Sequence, residues 1–544
     1  MTLPSLLQRP AWLLFGLALL AHLPALRAVE FHYGDDGHSL VRNPHVDDLA
    51  NLPRFFTDPT LFSENPADAM YRPVVLVAHA LNRSLSSDHP AGFLAMNLAL
   101  HVIAALLLLF VLTSLFSRGG AFFGAALYAI HPLQTEVVNY VSARSESLAA
   151  VGMLLAVLSF LHYRTSGKNL WLMALVGGQL LALGSKEVAI VTPLLLLSIH
   201  WAVPAGRGRA ARIGQLISAA IVVPYLILYQ SFKSATSDEP VRSVGPQMAT
   251  QVKALIHYVR GFAIPVDLSI SPQFSEGASL LTGPVPIAAG VLASLALLLW
   301  RCRRLWPAFG LGALWWLICL SPTLIVPLNV LVNDHRPYLA LGGIAMALGA
   351  LGLRPSSLPD WILKGALPLV LVALTWQRAA DWRTEISLWE SAVREGPEVA
   401  AAHHNLAFAY HQKSRTQLAR RHYEQAIELK PDYLRPLTNL GAIYRNAGEL
   451  DRAEEVLSRA ARSDPGSVEA LNNLGLVFAA RGQAERAMDT YKAALRVDPG
   501  VADVWFNLGL AQRDAGLRQH AVQSLQRALQ LDPEIRQRVG GSAP

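Results

Sequence analysis

The stretch Val468-Glu-Ala-Leu-Asn-Asn-Leu-Gly-Leu-Val-Phe-Ala-Ala-Arg-Gly-Gln-Ala-Glu-Arg-Ala-Met-Asp-Thr-Tyr-Lys-Ala-Ala-Leu-Arg-Val-Asp-Pro499 decides the fold of the C-terminal part. Its pattern returns every 34 residues, without insertion, over 400–533. Leu406, Leu440, Leu474 and Leu508 share one register, and Ala407, Gly441, Gly475 and Gly509 the next. Ala419, Ala453, Ala487 and Ala521 recur, as do Ala426, Ala460, Ala494 and Ala528. Tyr423, Leu457, Tyr491 and Leu525 supply bulk, and Pro431, Pro465, Pro499 and Pro533 close each unit. Small residues let two helices cross closely, large ones fill the space between them, and proline stops the second helix. The pattern predicts four stacked helix pairs.

This is the tetratricopeptide pattern, so 400–533 reads as four repeats of an α-solenoid. A half unit precedes it, with Glu385, Trp389, Ala392 and Pro397 in register. Residues 378–399 therefore read as a linker and capping half repeat, and 534–544 as a tail. Asn405, Asn439, Asn473 and Asn507 occupy the sixth position of the four units. Identical residues in a superhelix form a ladder along its concave face. A carboxamide both donates and accepts, so this ladder suits an extended acceptor-peptide backbone whatever its side chains.

Upstream the composition changes. The 544 residues are 52% hydrophobic and only 16% charged. Residues 378–544 hold 22 Lys+Arg against 21 Asp+Glu, so nearly all of the formal +7 belongs to 1–377. Apolar runs at 11–29, 93–116, 120–138, 147–163, 169–185, 187–203, 213–231, 284–300, 308–327, 338–353 and 361–377 approach the roughly 20 residues that cross a bilayer. They make 1–377 a polytopic helix bundle of about eleven spans. Arg27 and the many later runs favour a retained first helix over a cleaved signal. Segment 250–265, with Lys253, His257 and Arg260, reads as an interfacial helix. Cys302 and Cys319 form no disulfide framework or zinc spacing.

Basic residues set the orientation. With the N-terminus inside, the inner loops carry Arg9, Arg118, Arg164, Lys168, Arg207, Arg209, Arg212, Arg301, Arg303, Arg304, Arg354 and Lys364, against the single acid Asp360. The outer loop 30–92 carries Glu30, Asp35, Asp36, Asp47, Asp48, Asp58, Glu64, Asp68 and Asp88. This follows the positive-inside rule and explains the basic balance without nucleic acid. An odd span count puts the repeats on the outer face with Asp35 and Asp36. In a bacterium that is the periplasmic side of the inner membrane; in a eukaryote it is the lumen of the endoplasmic reticulum. Asp35 and Asp36, between two glycines at a membrane boundary, are candidates for an outward-facing catalytic base; the alternative is a solvated acidic turn. Other polar blocks fall at the same boundary, where ionisable groups are usually paired or functional.

Taken in order, these blocks are Tyr33-Gly-Asp-Asp36 with Asn43, Tyr71-Arg-Pro73, Asn97 with His101, and His131-Pro-Leu-Gln-Thr-Glu136 with Arg144 and Glu146. Lys186-Glu187, Asp334-His-Arg-Pro-Tyr338, and Trp382, Glu385 and Trp389 follow. In this order they resemble the transmembrane and tetratricopeptide-repeat O-mannosyltransferases, polytopic glycosyltransferases of the GT-C fold. His335, between the acid and Arg336, departs from the family spacing.

The resemblance implies a polyprenyl-phosphate-linked sugar, with mannose expected, as donor and a Ser or Thr hydroxyl of an extracytoplasmic protein as acceptor. Asp35 or Asp36 is then the base. Arg144, Lys186 and Arg336, with Arg72 and His131 behind them, are the candidate donor-phosphate ligands. No metal-ligand set is complete, and a divalent cation is left open. The partners expected are the lipid-linked donor, an acceptor polypeptide on the repeat groove and membrane lipid. Two other functions fit the same residues: a membrane-anchored repeat scaffold without catalysis, and a transferase acting on lipid-linked polysaccharide.

Overall fold

The structure, a computed structural model, describes all residues except 1–4, 33, 35, 87–88, 205, 234–241, 278, 280, 282, 284, 303–306, 327–329, 351–364 and 536–544. Asp35, Tyr33, Asp88, Asp360 and the expected inner-face residues Arg303, Arg304, Arg354 and Lys364 lie outside the described residues. The described chain is helical throughout, without strands. It divides into two compact units, Met1–Ser391 and Ala392–Pro544.

In the first unit the helices are α1 (Ser5–His22), α2 (Pro73–Ser86), α3 (Pro90–Thr113), α4 (Arg118–Ile130), α5 (Thr135–Asn139), α6 (Arg144–Ser166), α7 (Asn169–Leu183) and α8 (Thr192–Ala202). They continue with α9 (Arg209–Lys233), α10 (Val244–Ala263), α11 (Val285–Cys302), α12 (Pro307–Ile325), α13 (Leu341–Ala350), α14 (Leu367–Asp381) and α15 (Glu385–Glu395). Every predicted apolar run carries a helix. Among the described residues, four helical stretches are long and apolar enough to cross a membrane: Arg9–Arg27, Pro90–Thr113, Arg144–Ser166 and Arg209–Phe232. Between several helices, glycine permits backbone contact. A Cβ on Gly152 would lie 2.5 Å from the Gly178 carbonyl oxygen, locking α6 to α7. One on Gly312 would lie 2.4 Å from the Gly343 oxygen, between α12 and α13.

One sequence expectation changes. The run 120–138 is not one continuous helix. Helix α4 ends at Ile130, because Pro132 forces the preceding backbone into an extended conformation (His131 ψ 134°). The chain then turns into the short α5. Residues 250–263 lie in α10, which packs on α11 and α12 and buries Ala249, Ala254, Leu255 and Tyr258.

The loop between α1 and α2 is a chain of short turns. Asn43, Asp48 and Asp58 each accept from a backbone N–H two residues on. Asn43 Nδ2 also donates to the carbonyls of Ser39, Leu61 and Phe62, each at 3.1 Å.

In the second unit the pairs are α16 (Ala400–Gln412) with α17 (Thr416–Leu429), α18 (Leu434–Asn446) with α19 (Leu450–Ser463), α20 (Val468–Ala480) with α21 (Ala484–Val497), and α22 (Ala502–Asp514) with α23 (Arg518–Leu531). A Cβ on Gly475 would meet the Tyr491 ring at 2.4 Å, so that register admits only the smallest residues opposite a large one. The turn inside each pair needs a left-handed residue. Gly448, Gly482 and Gly516 provide it, and Ser414 takes the same register in the first repeat at φ 58°. Lys430, Asp464, Asp498 and Asp532 are extended before the four prolines, which ends each second helix.

Candidate functional site

Asp36 lies 1% exposed at the entry to a short helical turn, Gly37–Val41. Its Oδ1 accepts two hydrogen bonds from Ser142, from the backbone N–H at 2.8 Å and from the hydroxyl at 2.5 Å. Ser142 stands in the turn between α5 and α6. One carboxylate oxygen is thus fixed, and the direction of the other follows from it.

Behind Asp36 sits His32, 4% exposed, with Nδ1 2.9 Å from Glu385 Oε2. Glu385 Oε1 accepts from Trp389 Nε1 at 2.8 Å, and its backbone N–H donates to Glu30 Oε1 at 2.7 Å. The buried Trp382 meets the His32 ring edge to face, centroids 5.2 Å apart. These contacts tie the loop after α1 to the segment after α14. Burial pulls the His32 pKa down. The Glu385 hydrogen bond and the charges of Glu385, Asp36 and Glu30 outweigh it and hold the pKa above the ordinary histidine value of 6.5. A raised folded-state pKa gives stability that is full below the unfolded value and lost as pH rises through the folded one. Glu385→Gln is therefore expected to lower the thermal midpoint more at about pH 6 than at about pH 8. Equal losses at both pH values, read by scanning fluorimetry, contradict this pairing.

A second charged group gathers at α5, α6 and the loops after α7 and α12. His335 Nδ1 lies 2.5 Å from Glu136 Oε1, and its Nε2 is 3.9 Å from Glu146 Oε1. Lys186 pairs with Glu146. Next in the chain, Glu187 receives Arg72 Nη2 at 3.1 and 3.2 Å. Glu136 and Glu146 are 3% and 7% exposed, and the Lys186 and Arg72 side chains 12% and 18%. Among the described residues no three His, Cys, Asp or Glu side chains are arranged to hold a metal ion.

Of the five candidate phosphate ligands, the structure brings Arg72 and Lys186 to this group and gives the other three local partners. Arg144, fully buried, donates from Nε to Asn97 Oδ1 at 2.9 Å and from Nη2 to Asn82 Oδ1 at 2.8 Å and Phe93 O at 2.9 Å. Its Nη1 reaches Ala78 O at 3.3 Å. It pins α2, α3 and α6 together. His131 uses both ring nitrogens on backbone, with Nε2 3.0 Å from Phe262 O and Nδ1 accepting from Leu133 N at 3.2 Å. Arg336 donates to Leu331 O at 2.9 Å and Val330 O at 2.7 Å, inside its own loop. Ser142 and His335 were absent from the candidate ligands and base. The His335 interruption of the family spacing was the available signal for the latter.

In the repeats, Asn405, Asn439, Asn473 and Asn507 are half-buried at one position of the first helix of each pair. Arg445 Nη1 donates to Asn473 Oδ1 at 3.1 Å, and Asn507 Nδ2 donates to Asn472 Oδ1 at 2.9 Å. The four asparagines thus share one register, and Asn473 and Asn507 are among those engaged by side-chain neighbours.

Residues 438–500 and 480–534 match one family model described as tetratricopeptide repeat, and 398–465 match a second with that description. A Caenorhabditis elegans protein named protein O-mannosyl-transferase F38B6.6 is 26% identical over 449 residues, covering 77% of this chain and 63% of the nematode protein. Human protein O-mannosyl-transferase TMTC1 is 35% identical over 156 residues, 28% of this chain and 18% of the human one. A solved structure described as the crystal structure of MamA covers 28% of this chain and 88% of its own, at 22% identity and a TM-score of 0.26. The chain thus spans less than two thirds of the curated relatives' length. Apolar helices are followed by tetratricopeptide repeats, and over 77% of its length the chain is similar to one protein named a protein O-mannosyl-transferase.

Proposed function

We propose that this protein is a membrane glycosyltransferase that moves a sugar, mannose in the first instance, from a polyprenyl phosphate to Ser or Thr hydroxyls of extracytoplasmic polypeptides. The observation that carries the reading is the similarity, over 77% of the chain, to one protein named a protein O-mannosyl-transferase. The site chemistry supports it. A hydroxyl is a poor nucleophile at neutral pH, and a fixed carboxylate within hydrogen-bond reach takes its proton as attack proceeds. Asp36, oriented by Ser142, is the candidate base. The acceptor oxygen bonds to the anomeric carbon, the bond from that carbon to the phosphate oxygen breaks, and the lipid phosphate leaves with the electron pair. One displacement inverts the sugar carbon. Arg72 and Lys186 are candidates to meet the growing phosphate charge. Glu187 and Glu146 already hold these cations, so an arriving phosphate shares them. His131, Arg144 and Arg336 position the surrounding loops and helices instead.

The charge asymmetry of the loops supports an orientation with the repeats on the extracytoplasmic face, the periplasm in a bacterium or the lumen in a eukaryote. The asparagine register supports binding of the acceptor chain there. Asn439→Ala with Asn473→Ala is expected to weaken capture of an unfolded acceptor polypeptide by the detergent-solubilised protein about tenfold, since several shared hydrogen bonds are lost. Undiminished capture in a pull-down removes the ladder from the account. Mass spectrometry of envelope proteins from cells with and without the chain tests the function itself. Hexose on Ser or Thr that disappears with the chain supports it. Loss confined to a polysaccharide favours transfer to a lipid-linked glycan, and no change favours a scaffold.

A further inference from the structure

Five side-chain polar atoms lie within the six residues Gln134–Asn139, buried and without a hydrogen-bond partner among the described residues. They are both amide atoms of Gln134, Oγ1 of Thr135, Oε2 of Glu136 and Oδ1 of Asn139. Their residues are 0% to 3% exposed. Folded proteins carry only roughly a few such atoms per hundred residues, because each forfeits its hydrogen bonds to water. Five within six residues is a concentration that packing does not explain.

The placement is ordered. At about 100° per residue, Thr135, Glu136 and Asn139 fall within one arc of about 100° on α5. Gln134 enters from the preceding turn. The remaining atoms of these side chains fix the geometry: Asn139 Nδ2 donates to Thr135 O at 2.8 Å, and Glu136 Oε1 faces His335 at 2.5 Å. The segment is held from outside its polar face, since Asn97 Nδ2 donates to the Val137 and Tyr140 carbonyls at 3.3 and 2.9 Å.

The orphan atoms specify a ligand chemistry. Three are acceptor oxygens, on Gln134, Glu136 and Asn139; Thr135 both donates and accepts; the Gln134 amide nitrogen donates. A phosphate offers only acceptors at neutral pH and would face a carboxylate and two carbonyl oxygens. A polyhydroxylated ring offers a donor and an acceptor at every hydroxyl. We infer that the polar face of α5, with His335 behind Glu136, binds the hydroxyls of the sugar being transferred. This assignment rests on the glycosyltransferase reading and deepens it, placing sugar recognition on Gln134–Asn139 and phosphate recognition on Arg72 and Lys186.

The test uses full-length protein in nanodiscs with two probes, polyprenyl-phosphate mannose and polyprenyl phosphate alone. Thr135→Val and Gln134→Met replace orphan polar atoms with apolar ones of similar size. Each variant is expected to keep or raise the ligand-free thermal midpoint. Each is expected to bind the mannosyl lipid about tenfold more weakly, equivalent to about 1.4 kcal/mol. Affinity for polyprenyl phosphate stays unchanged, and Thr135→Ser retains wild-type affinity for both. An unchanged affinity for the mannosyl lipid, an equal loss for both lipids or a lowered midpoint overturns the assignment. Wild-type transfer assayed in parallel separates the two levels. If wild type transfers sugar and the variants bind normally, this subsite alone is wrong. If wild type transfers none, the glycosyltransferase reading falls and the assignment with it.

Discussion

Asp36→Asn is expected to cut the rate of sugar transfer by roughly 10²- to 10⁴-fold, the usual contribution of a positioned general base. The substitution is nearly isosteric. An asparagine oxygen still accepts from the Ser142 N–H and hydroxyl, which hold the native carboxylate at 2.8 and 2.5 Å. The fold and donor binding are therefore retained, and the loss falls on kcat rather than on KM for the lipid donor. The amide cannot take a proton from the acceptor hydroxyl. Initial rates with a radiolabelled donor, alongside the thermal midpoint, check this. A variant that folds and transfers at the wild-type rate removes Asp36 from the chemistry.

Arg144→Met is expected to be the most destabilising single change in the membrane unit. The guanidinium makes four hydrogen bonds in full burial, to Asn97, Asn82, Ala78 and Phe93. Methionine fills much of the volume and supplies no donor. Two carboxamide oxygens and two carbonyls on α2 and α3 are left buried and unmatched. Removing the hydrogen-bonded partner of such a buried network costs about 3–5 kcal/mol. Against a typical total of about 5–15 kcal/mol, that is enough to lose most of the folded protein at growth temperature. Asn97 also holds the carbonyls flanking the end of α5, so the damage reaches the polar segment. Arg144→Lys keeps the charge but not the fork, and an intermediate loss is expected. Yield of monodisperse protein and its thermal midpoint measure both. A variant with a normal midpoint and only a raised KM for the donor would instead make Arg144 a phosphate ligand.

The contrast between these two residues marks how far the sequence can be read. The 34-residue period was legible because each register carries a packing demand of its own: Gly475 against Tyr491, or Pro465 after an extended Asp464. Ser414 was not legible as a left-handed residue, since only the three glycines in its register signal that geometry. The apolar runs gave the helices of the membrane unit, although α4 stops at Ile130 and the third run does not continue as one helix. The charged group was legible only as separate blocks. Lys186 meets Glu146 across 40 residues, Arg72 meets Glu187 across 115 and His335 meets Glu136 across 199. No local spacing encodes such pairs. Nor does a sequence reveal whether an arginine at a membrane boundary faces a phosphate or, like Arg144, a ring of carboxamides and carbonyls. The reverse holds for Gln134, Thr135 and Asn139, which look like ordinary turn and helix-start residues until their burial is known.

The central claim is that this chain transfers a sugar from a lipid phosphate to protein hydroxyls, using Asp36 as base. It is tested most directly by purified full-length protein in nanodiscs, given polyprenyl-phosphate mannose and an unfolded Ser/Thr-rich acceptor polypeptide. Mass spectrometry then locates any hexose on the acceptor. The account predicts hexose on Ser or Thr with the wild-type protein and almost none with Asp36→Asn. An unmodified acceptor with the wild-type protein, or equal modification by both proteins, would contradict it.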